Sequence, residues 1–87
     1  MKNGEDTVVL VIDNDSVVRE SIASYLSNNN YRVVQAASSE AGINAFHSSS
    51  PALVIYGINI PDNSGFDAIS TIFAQSPIQP IIILSDQ

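Results

Sequence analysis

The chain has 87 residues, of which 45% are apolar and 14% are charged, and nine acidic against three basic residues give a net charge of −6. This length predicts a single domain spanning residues 1–87. The acidic excess argues against nucleic-acid binding through phosphate neutralisation and against a basic helix lying on a membrane surface.

The residues that are missing from the sequence narrow the class of protein further. There is no cysteine, so disulfides, thiolate metal sites and a cysteine nucleophile are excluded. The N-terminal segment, MKNGEDT, contains no apolar signal core. The longest apolar run, Val8–Ile12, is far shorter than the roughly 20 residues of a membrane span. We therefore expect a cytoplasmic domain without a membrane partner.

Four short apolar runs predict four strands. They are residues Val8–Ile12, Arg32–Ala36, 53–56 and Ile81–Leu84. The first is continuous and rich in β-branched residues, which is typical of a strand buried on both faces. By the same pattern, the last run is a fourth buried strand.

The segments between the strands carry helix signals. Asp15 and Ser16 are good helix caps, and Val18, Ile22, Tyr25 and Leu26 then recur at helical spacing, with Tyr25 expected to pack inward. Three consecutive asparagines, Asn28, Asn29 and Asn30, stop this first helix. The second helix begins near Ser38 and ends at the Ser-rich segment before Pro51, with Gly42 allowing close packing. Phe66, Ile69, Ile72 and Phe73 mark the third. This alternation predicts a parallel sheet with right-handed crossovers.

Candidate site residues, most of them polar, follow three of the four predicted strands. They are Asp13, Asn14 and Asp15 after the first, Gly57, Asn59 and Asp62 after the third, and Ser85 and Asp86 after the fourth. Ligands of open parallel sheets bind at these carboxyl ends, and converging carboxylates there would form a Mg²⁺ site. The alternative is that Asp15 and Ser16 only cap a helix and that Asp62 only belongs to a turn.

These segments resemble the receiver domains of bacterial two-component response regulators. Residues 9–19 are similar to the first strand, acidic pair and first helix of that family, and residues 51–61 to its third strand and phosphorylation loop. Gly65 matches the glycine that opens the third helix, and residues 80–85 match the fourth strand. The resemblance implies a three-layer, doubly wound α/β fold of the flavodoxin-like, chemotaxis type, with its parallel strands in the order 2-1-3-4-5.

The resemblance also implies the roles of individual residues. Gly57 stands where the family has its phosphoacceptor aspartate, and a phosphoryl transfer of this kind needs a carboxylate nucleophile. Asn14 replaces the second residue of the acidic pair, and Ser85 matches the switch hydroxyl. Asp13 and the backbone carbonyl of Asn59 match metal ligands. We expect no cofactor beyond weak Mg²⁺ binding at these two residues.

Receivers of this family continue through a fourth helix, a fifth strand and a fifth helix, with a functional lysine after the fifth strand. The sequence stops before these elements, and we expect a C-terminally truncated receiver. Its fourth strand, Ile81, Ile82, Ile83 and Leu84, would then form an apolar edge. Such an edge pairs readily with another chain, which predicts a homodimer.

Four further residues need an interpretation. Arg19 is expected to be a solvated helix residue, and His47 a stabilising cation at a helix C-terminus. Tyr31 is expected to be a packing residue. Tyr56, next to Gly57, is a candidate for filling the space of the absent acceptor side chain.

Together these features predict an atypical receiver that is not an enzyme. It would act through a protein partner or its own output domain, without conventional aspartyl phosphorylation and without direct nucleic-acid contact. The first alternative is a receiver that is still phosphorylated on a neighbouring carboxylate such as Asp13 or Asp62. The second, a small flavodoxin-like nucleotide binder or enzyme, is disfavoured because no Gly-rich phosphate loop follows the first strand.

Overall fold

A computed structural model of the chain describes residues 7–57 and 65–84, with side chains described from residue 69 in the second range. Strands and helices alternate along the chain, as the sequence pattern predicts. The elements are β1 (Val8–Ile12), α1 (Ser16–Asn28), β2 (Arg32–Ala36), α2 (Ser39–Ser49), β3 (Leu53–Gly57), α3 (Gly65–Gln75) and β4 (Ile81–Leu84).

The four strands form one parallel sheet in the order β2-β1-β3-β4. Val9 of β1 lies opposite Val33 of β2 and Leu53 of β3, while Val54 of β3 lies opposite Ile81 of β4. The order reverses at β1, because the chain moves to one side of it for β2 and to the other side for β3. This reversal confirms the doubly wound topology and creates the crevice in which such sheets bind ligands.

Each face of the sheet has its own hydrophobic core. Leu10 and Ile12 lie on the face that Phe46 of α2 and Ile72 of α3 cover. Val9 and Val11 lie on the other face, against Ile22 and Leu26 of α1. The alternation of neighbouring β1 residues between the two cores follows from the period of two along a strand. The predicted burial of β1 on both faces is therefore confirmed.

The close approach of α2 to the sheet depends on Gly42. A Cβ atom at this position would lie 2.6 Å from Cδ1 and 2.9 Å from Cγ1 of Ile12. Because this is well inside van der Waals contact, no larger residue fits without displacing Ile12. The predicted role of Gly42 in close packing is confirmed.

The predicted C-terminal end of α1 is confirmed. Asn29 caps the helix, and its N–H donates to the carbonyls of Leu26 and Ser27. Asn30 follows with a φ of 70°, the left-handed region that asparagine tolerates better than most residues.

Three packing predictions are wrong. Tyr25 is 69% exposed and Tyr31 is also exposed, because Ile22, Ala23 and Leu26 form the inward stripe of α1 and Tyr25 lies outside it. The prediction that β4 is fully buried fails as well, since Ile82 and Ile83 are 48% and 47% exposed.

The position of β4 in the sheet explains that exposure. It pairs with β3 on one side, and within residues 7–57 and 65–84 no strand lies on its other side. Among the described residues, Ile81, Ile82, Ile83 and Leu84 therefore lie at the edge of the sheet. None of the described helices is long and apolar enough to cross a membrane.

Candidate functional site

The carboxyl ends of β1 and β3 meet at the point where the strand order reverses. Ile12 lies opposite Tyr56 in the parallel register, so the next residues along each strand, Asp13 and Gly57, are also neighbours. The topology thus brings together one acidic and one glycine position that are 44 residues apart in the sequence (57 − 13).

Asp13 is held by hydrogen bonds on both its backbone and its side chain. It is only 4% exposed. Its N–H donates to the carbonyl of Ala36 at 3.0 Å, which ties it to β2. Its Oδ1 accepts from the N–H of Asp15 at 2.9 Å. One of its two carboxylate oxygens is therefore already engaged by the loop that leads into α1.

The rest of the Asp13 carboxylate lies against Gly57. A Cβ atom at position 57 would overlap Asp13 Oδ2, and it would lie 2.6 Å from Asp13 Cγ and 3.2 Å from Asp13 Cβ. Real Cβ atoms essentially never lie within 3.0 Å of another heavy atom, as this one would for Asp13 Oδ2 and Cγ. The Asp13 carboxylate thus occupies the space in which any side chain at position 57 would begin.

Asp15 caps the first helix. Its Oδ1 accepts from the N–H groups of Val17 at 2.9 Å and Val18 at 3.3 Å, which is the usual bonding of an N-cap. Asn14, between the two acids, is exposed. For Asp15 the capping alternative is therefore the one that the geometry supports.

Arg19, expected to be a solvated helix residue, is half-buried and makes two hydrogen bonds that the sequence did not predict. Its Nη1 donates to the carbonyl of Asp13 at 2.8 Å and its Nε donates to Oε1 of Gln35 at 3.1 Å. One guanidinium therefore ties the β1–α1 loop to β2. An arginine four residues after an N-cap was the available signal, but its partner Gln35 is 16 residues away.

Tyr56 does not fill the space beside Gly57, so that expectation is also wrong. The side chain is fully buried in the core on the α2 side of the sheet, and its hydroxyl lies 2.6 Å from Oγ of Ser39. Successive side chains of a strand point to opposite faces, which sends Tyr56 away from the space above Gly57.

Four residues of the predicted site, Asn59, Asp62, Ser85 and Asp86, lie outside the described residues. Among the residues that are described, no group of three His, Asp or Glu side chains is placed to hold a metal ion. Asp13 and Asp15 each have one oxygen engaged by backbone N–H groups.

The comparisons with known proteins agree with this architecture. A sequence profile of the response regulator receiver domain matches residues 9–87. Response regulator RR06 of Streptococcus pneumoniae is 30% identical over 77 residues, 88% of this chain and 35% of that protein. The probable transcriptional regulatory protein TcrX of Mycobacterium tuberculosis is 25% identical over 83 residues, 95% of this chain and 36% of that protein. The chain therefore spans about a third of the length of both curated relatives.

Solved structures show the same relationship. A receiver domain protein of Clostridium thermocellum is 31% identical, with a TM-score of 0.83 over 91% of this chain and 64% of that one. The response regulator TrrA of Thermotoga maritima, solved in complex with Mg(2+)-BeF, is 27% identical, with a TM-score of 0.85 over 93% of this chain and 70% of that one. The profile match, the relatives and the strand order agree: this chain belongs to the response regulator receiver domain family, the signalling domains of two-component systems.

Proposed function

We propose that this chain is an atypical, or pseudo-, receiver domain, which acts through protein–protein interaction and does not form the usual aspartyl phosphate. The observation that carries the proposal is the Asp13 carboxylate lying in the space above Gly57. Glycine supplies no nucleophile. The proposal assigns the domain to the cytoplasm and gives it no catalytic activity of its own.

The proposal includes weak Mg²⁺ binding at most. Asp13 and the carbonyl of Asn59 are the ligands that the family resemblance suggests. The Asp13 carboxylate is buried and its Oδ1 already accepts one hydrogen bond, so a cation would bind at Oδ2 or share Oδ1 with the N–H of Asp15. No step of the proposed function passes through the metal.

Chemical phosphorylation tests the absence of an acceptor. The chain is incubated with acetyl phosphate and MgCl₂, and its intact mass is measured. We expect no adduct, whereas an added mass of about 80 Da, that of one phosphoryl group, contradicts the proposal. The Gly57→Asp variant is the matched control, since it restores a carboxylate at the expected acceptor position.

Phosphorylation of a neighbouring carboxylate is the alternative that this experiment decides. Asp13 is a poor nucleophile here, because it is buried and its Oδ1 is hydrogen-bonded. Asp62 lies outside the described residues. An adduct that disappears in Asp13→Asn or in Asp62→Asn assigns the acceptor and replaces the proposal with this alternative.

The interaction that we propose is a homodimer through the edge of β4. Ile82 and Ile83 of β4 are about half exposed. Among the described residues, β4 has a neighbouring strand, β3, on one side only. In addition, β4 contains no Lys or Pro. Charged residues and prolines are the usual devices that protect edge strands from pairing. Light scattering coupled to size exclusion tests this, and a monomeric mass at micromolar concentration contradicts it.

A second part of the proposal concerns the proteins or domains that this domain contacts. The chain matches only 36% and 35% of the length of the two named curated relatives. We propose that the domain contacts either a separate protein or an output domain of its own. Direct nucleic-acid contact is not assigned to it, because its net charge is −6 and binding to phosphates needs basic residues.

A further inference from the structure

The free edge of β4 presents a fixed pattern of backbone groups. The N–H of Val54 in β3 donates to the carbonyl of Pro80 at 3.1 Å, and Val54 lies opposite Ile81 in the parallel register. Along a strand, the N–H and C=O groups of successive residues point alternately to the two sides. Pro80 and Ile82 therefore face β3. The N–H and C=O groups of Ile81 and Ile83 point to the other side, where no strand lies among the described residues.

These outward groups are arranged symmetrically about Ile82. Ile81 offers one N–H and one C=O before this residue, and Ile83 offers the same pair after it. A second copy of the strand that runs in the opposite direction presents its Ile83 to Ile81 and its Ile81 to Ile83. Every outward N–H then lies opposite an outward C=O, as in an antiparallel ladder. The same groups thus serve as both halves of the interface, which is the feature that selects a second copy of this chain.

Other ways of pairing two copies use this edge less completely. An antiparallel pair centred on Ile81, or on Ile83, joins that residue to its own counterpart and leaves the other without a partner in β4. A closed dimer of identical chains has a two-fold axis, which would set equivalent residues of two parallel strands opposite each other. In a parallel ladder an outward residue bonds to the residues before and after its opposite one. Here those residues face β3, so a closed parallel pair does not form.

Charge also favours this edge as the contact between two copies. The chain has a net charge of −6, so two copies repel each other where their acidic residues meet. The sequence of β4, Ile-Ile-Ile-Leu, contains no charged residue. Ile82 and Ile83 are 48% and 47% exposed. The edge therefore offers an uncharged, apolar contact on a chain with a large acidic excess.

The side chains of β4 fit the same register on both faces of the sheet. Ile82 lies opposite Ile55 of β3, on the face that α1 covers. Because α1 packs against β1 and β2, it leaves Ile82 open to Ile82 of the second copy. On the other face, Ile81 and Ile83 lie opposite Ile83 and Ile81 of the second copy. Pairs of β-branched side chains at such cross-strand positions are favourable.

We infer that the homodimer forms by antiparallel pairing of two β4 strands about a two-fold axis at Ile82. This inference rests on the proposed homodimer and defines its register and symmetry. The two sheets join into one sheet of eight strands, four from each copy. Because the halves run in opposite directions, the Asp13 and Gly57 sites of the two copies lie at opposite ends of that sheet.

Hydrogen exchange of the unmodified chain tests the register. Light scattering first establishes the concentrations at which the chain is dimeric and monomeric, and NMR then measures exchange of the backbone amides in both states. The amides of Ile81 and Ile83 should exchange at least about tenfold more slowly in the dimer, because their N–H groups gain partners. Ile82 is the internal reference, since its N–H faces β3 in both states, and its exchange should slow less.

Disulfide cross-linking locates the two-fold axis. The chain has no cysteine, so a single-cysteine variant reports one position. In this register the Cα atoms of the two copies of Ile82 form a non-hydrogen-bonded pair about 4.5 Å apart, which a disulfide spans. Those of the two copies of Ile83 are diagonal neighbours about 7–8 Å apart, which is beyond the usual span of a disulfide.

Oxidation of the variants should follow these distances. Ile82→Cys should form a covalent dimer at least about tenfold faster than Ile83→Cys, although the two positions are 48% and 47% exposed. Ile78→Cys, at a residue of the preceding loop that is 91% exposed, measures cross-linking by random collision. Gel electrophoresis without reductant follows the three reactions.

The outcomes separate this inference from the proposed function. A monomeric mass of the unmodified chain at micromolar concentration removes the homodimer and the register with it. A dimeric mass with protection at only one of Ile81 and Ile83, or with Ile83→Cys as the faster variant, overturns the register and leaves the homodimer standing. A dimer that protects neither amide uses another surface, which overturns the register and the β4 contact. If a cysteine variant is monomeric, exchange in the unmodified chain decides.

Discussion

The carboxylate of Asp13 lies where a side chain at residue 57 would begin, with Asp13 Cγ only 2.6 Å from the position of a Cβ atom there. The hydrogen bond from the N–H of Asp15 to Asp13 Oδ1, at 2.9 Å, fixes the carboxylate in this place. The orientation of the Asp13 carboxylate is therefore coupled to residue 57, because the carboxylate can lie here only if residue 57 has no side chain.

Substitution of Gly57 by alanine should reveal this coupling. In Gly57→Ala the new methyl group displaces the Asp13 carboxylate, and we expect a loss of about 1–3 kcal/mol in the free energy of unfolding. In an Asp13→Ala background the same substitution should cost less than about 1 kcal/mol, since no carboxylate occupies the space. Urea denaturation of the four proteins measures the difference. Equal costs in both backgrounds would show that the overlap has no energetic consequence.

Restoring an acid at residue 57 should create a response to Mg²⁺. In Gly57→Asp two carboxylates face each other and repel, which lowers the free energy of unfolding when no cation is bound. A cation that they share stabilises the fold by roughly 1.4 kcal/mol at ten times its Kd. The Tm of each protein is measured in MgCl₂ and in NaCl of equal ionic strength. We expect MgCl₂ to raise the Tm of Gly57→Asp. It should not raise the Tm of the unmodified chain or of the uncharged variant Gly57→Asn. A similar rise in Gly57→Asn would rule out a shared carboxylate site.

Gly42 should tolerate alanine only if Ile12 becomes smaller. The added Cβ of Gly42→Ala lies 2.6 Å from Ile12 Cδ1, and overpacking of this kind costs about 1–3 kcal/mol. Ile12→Val removes Cδ1, so the alanine should cost less in that background. Chemical denaturation of both single variants and the double variant gives the coupling energy, and strict additivity would contradict a direct clash.

The buried pair of hydroxyls should contribute measurably to stability. Tyr56→Phe removes the 2.6 Å hydrogen bond to Ser39 and should lower the free energy of unfolding by about 1–2 kcal/mol. Tyr25→Phe, at a residue that is 69% exposed, is the matched control and should change it by less than about 0.5 kcal/mol. If thermal or urea unfolding shows equal effects, the buried hydroxyl is not stabilising.

A charge on the edge of β4 should abolish the proposed homodimer. Ile82→Lys places an ammonium on the strand where pairing would occur, a device that natural edge strands use against association. Ile78→Lys adds the same charge in the preceding loop, at a residue that is 91% exposed, and should leave the dimer intact. Light scattering reports both masses. Loss of the dimer in both variants would point to a general charge effect rather than to β4.

The elements of the fold were predictable because their signals are local. Apolar runs of four or five residues identify strands, and the three asparagines that follow residue 27 identify a helix end. Capping by Asp15 was likewise one of the two roles expected from the sequence, since its partners Val17 and Val18 lie within three residues of it. In each case the interacting groups are close in sequence.

The details of the site were not predictable because they depend on contacts between distant residues. Arg19 reaches Gln35, 16 residues away, and Tyr56 reaches Ser39, 17 residues away. Neither contact was predicted from the sequence, and Tyr56 was wrongly expected to fill the space beside Gly57. Side-chain direction on a strand depends on the register of the whole sheet, which no single segment carries.

The sequence by itself determined the order of strands and helices along the chain and the absence of a carboxylate at residue 57, because these follow from residue types and short spacings. Only the tertiary structure decided that Asp13 lies in the space above Gly57, that Tyr56 bonds to Ser39, and that Arg19 bonds to Gln35. Packing between elements fixes these relationships, and the parallel register brings side chains together regardless of their separation along the chain.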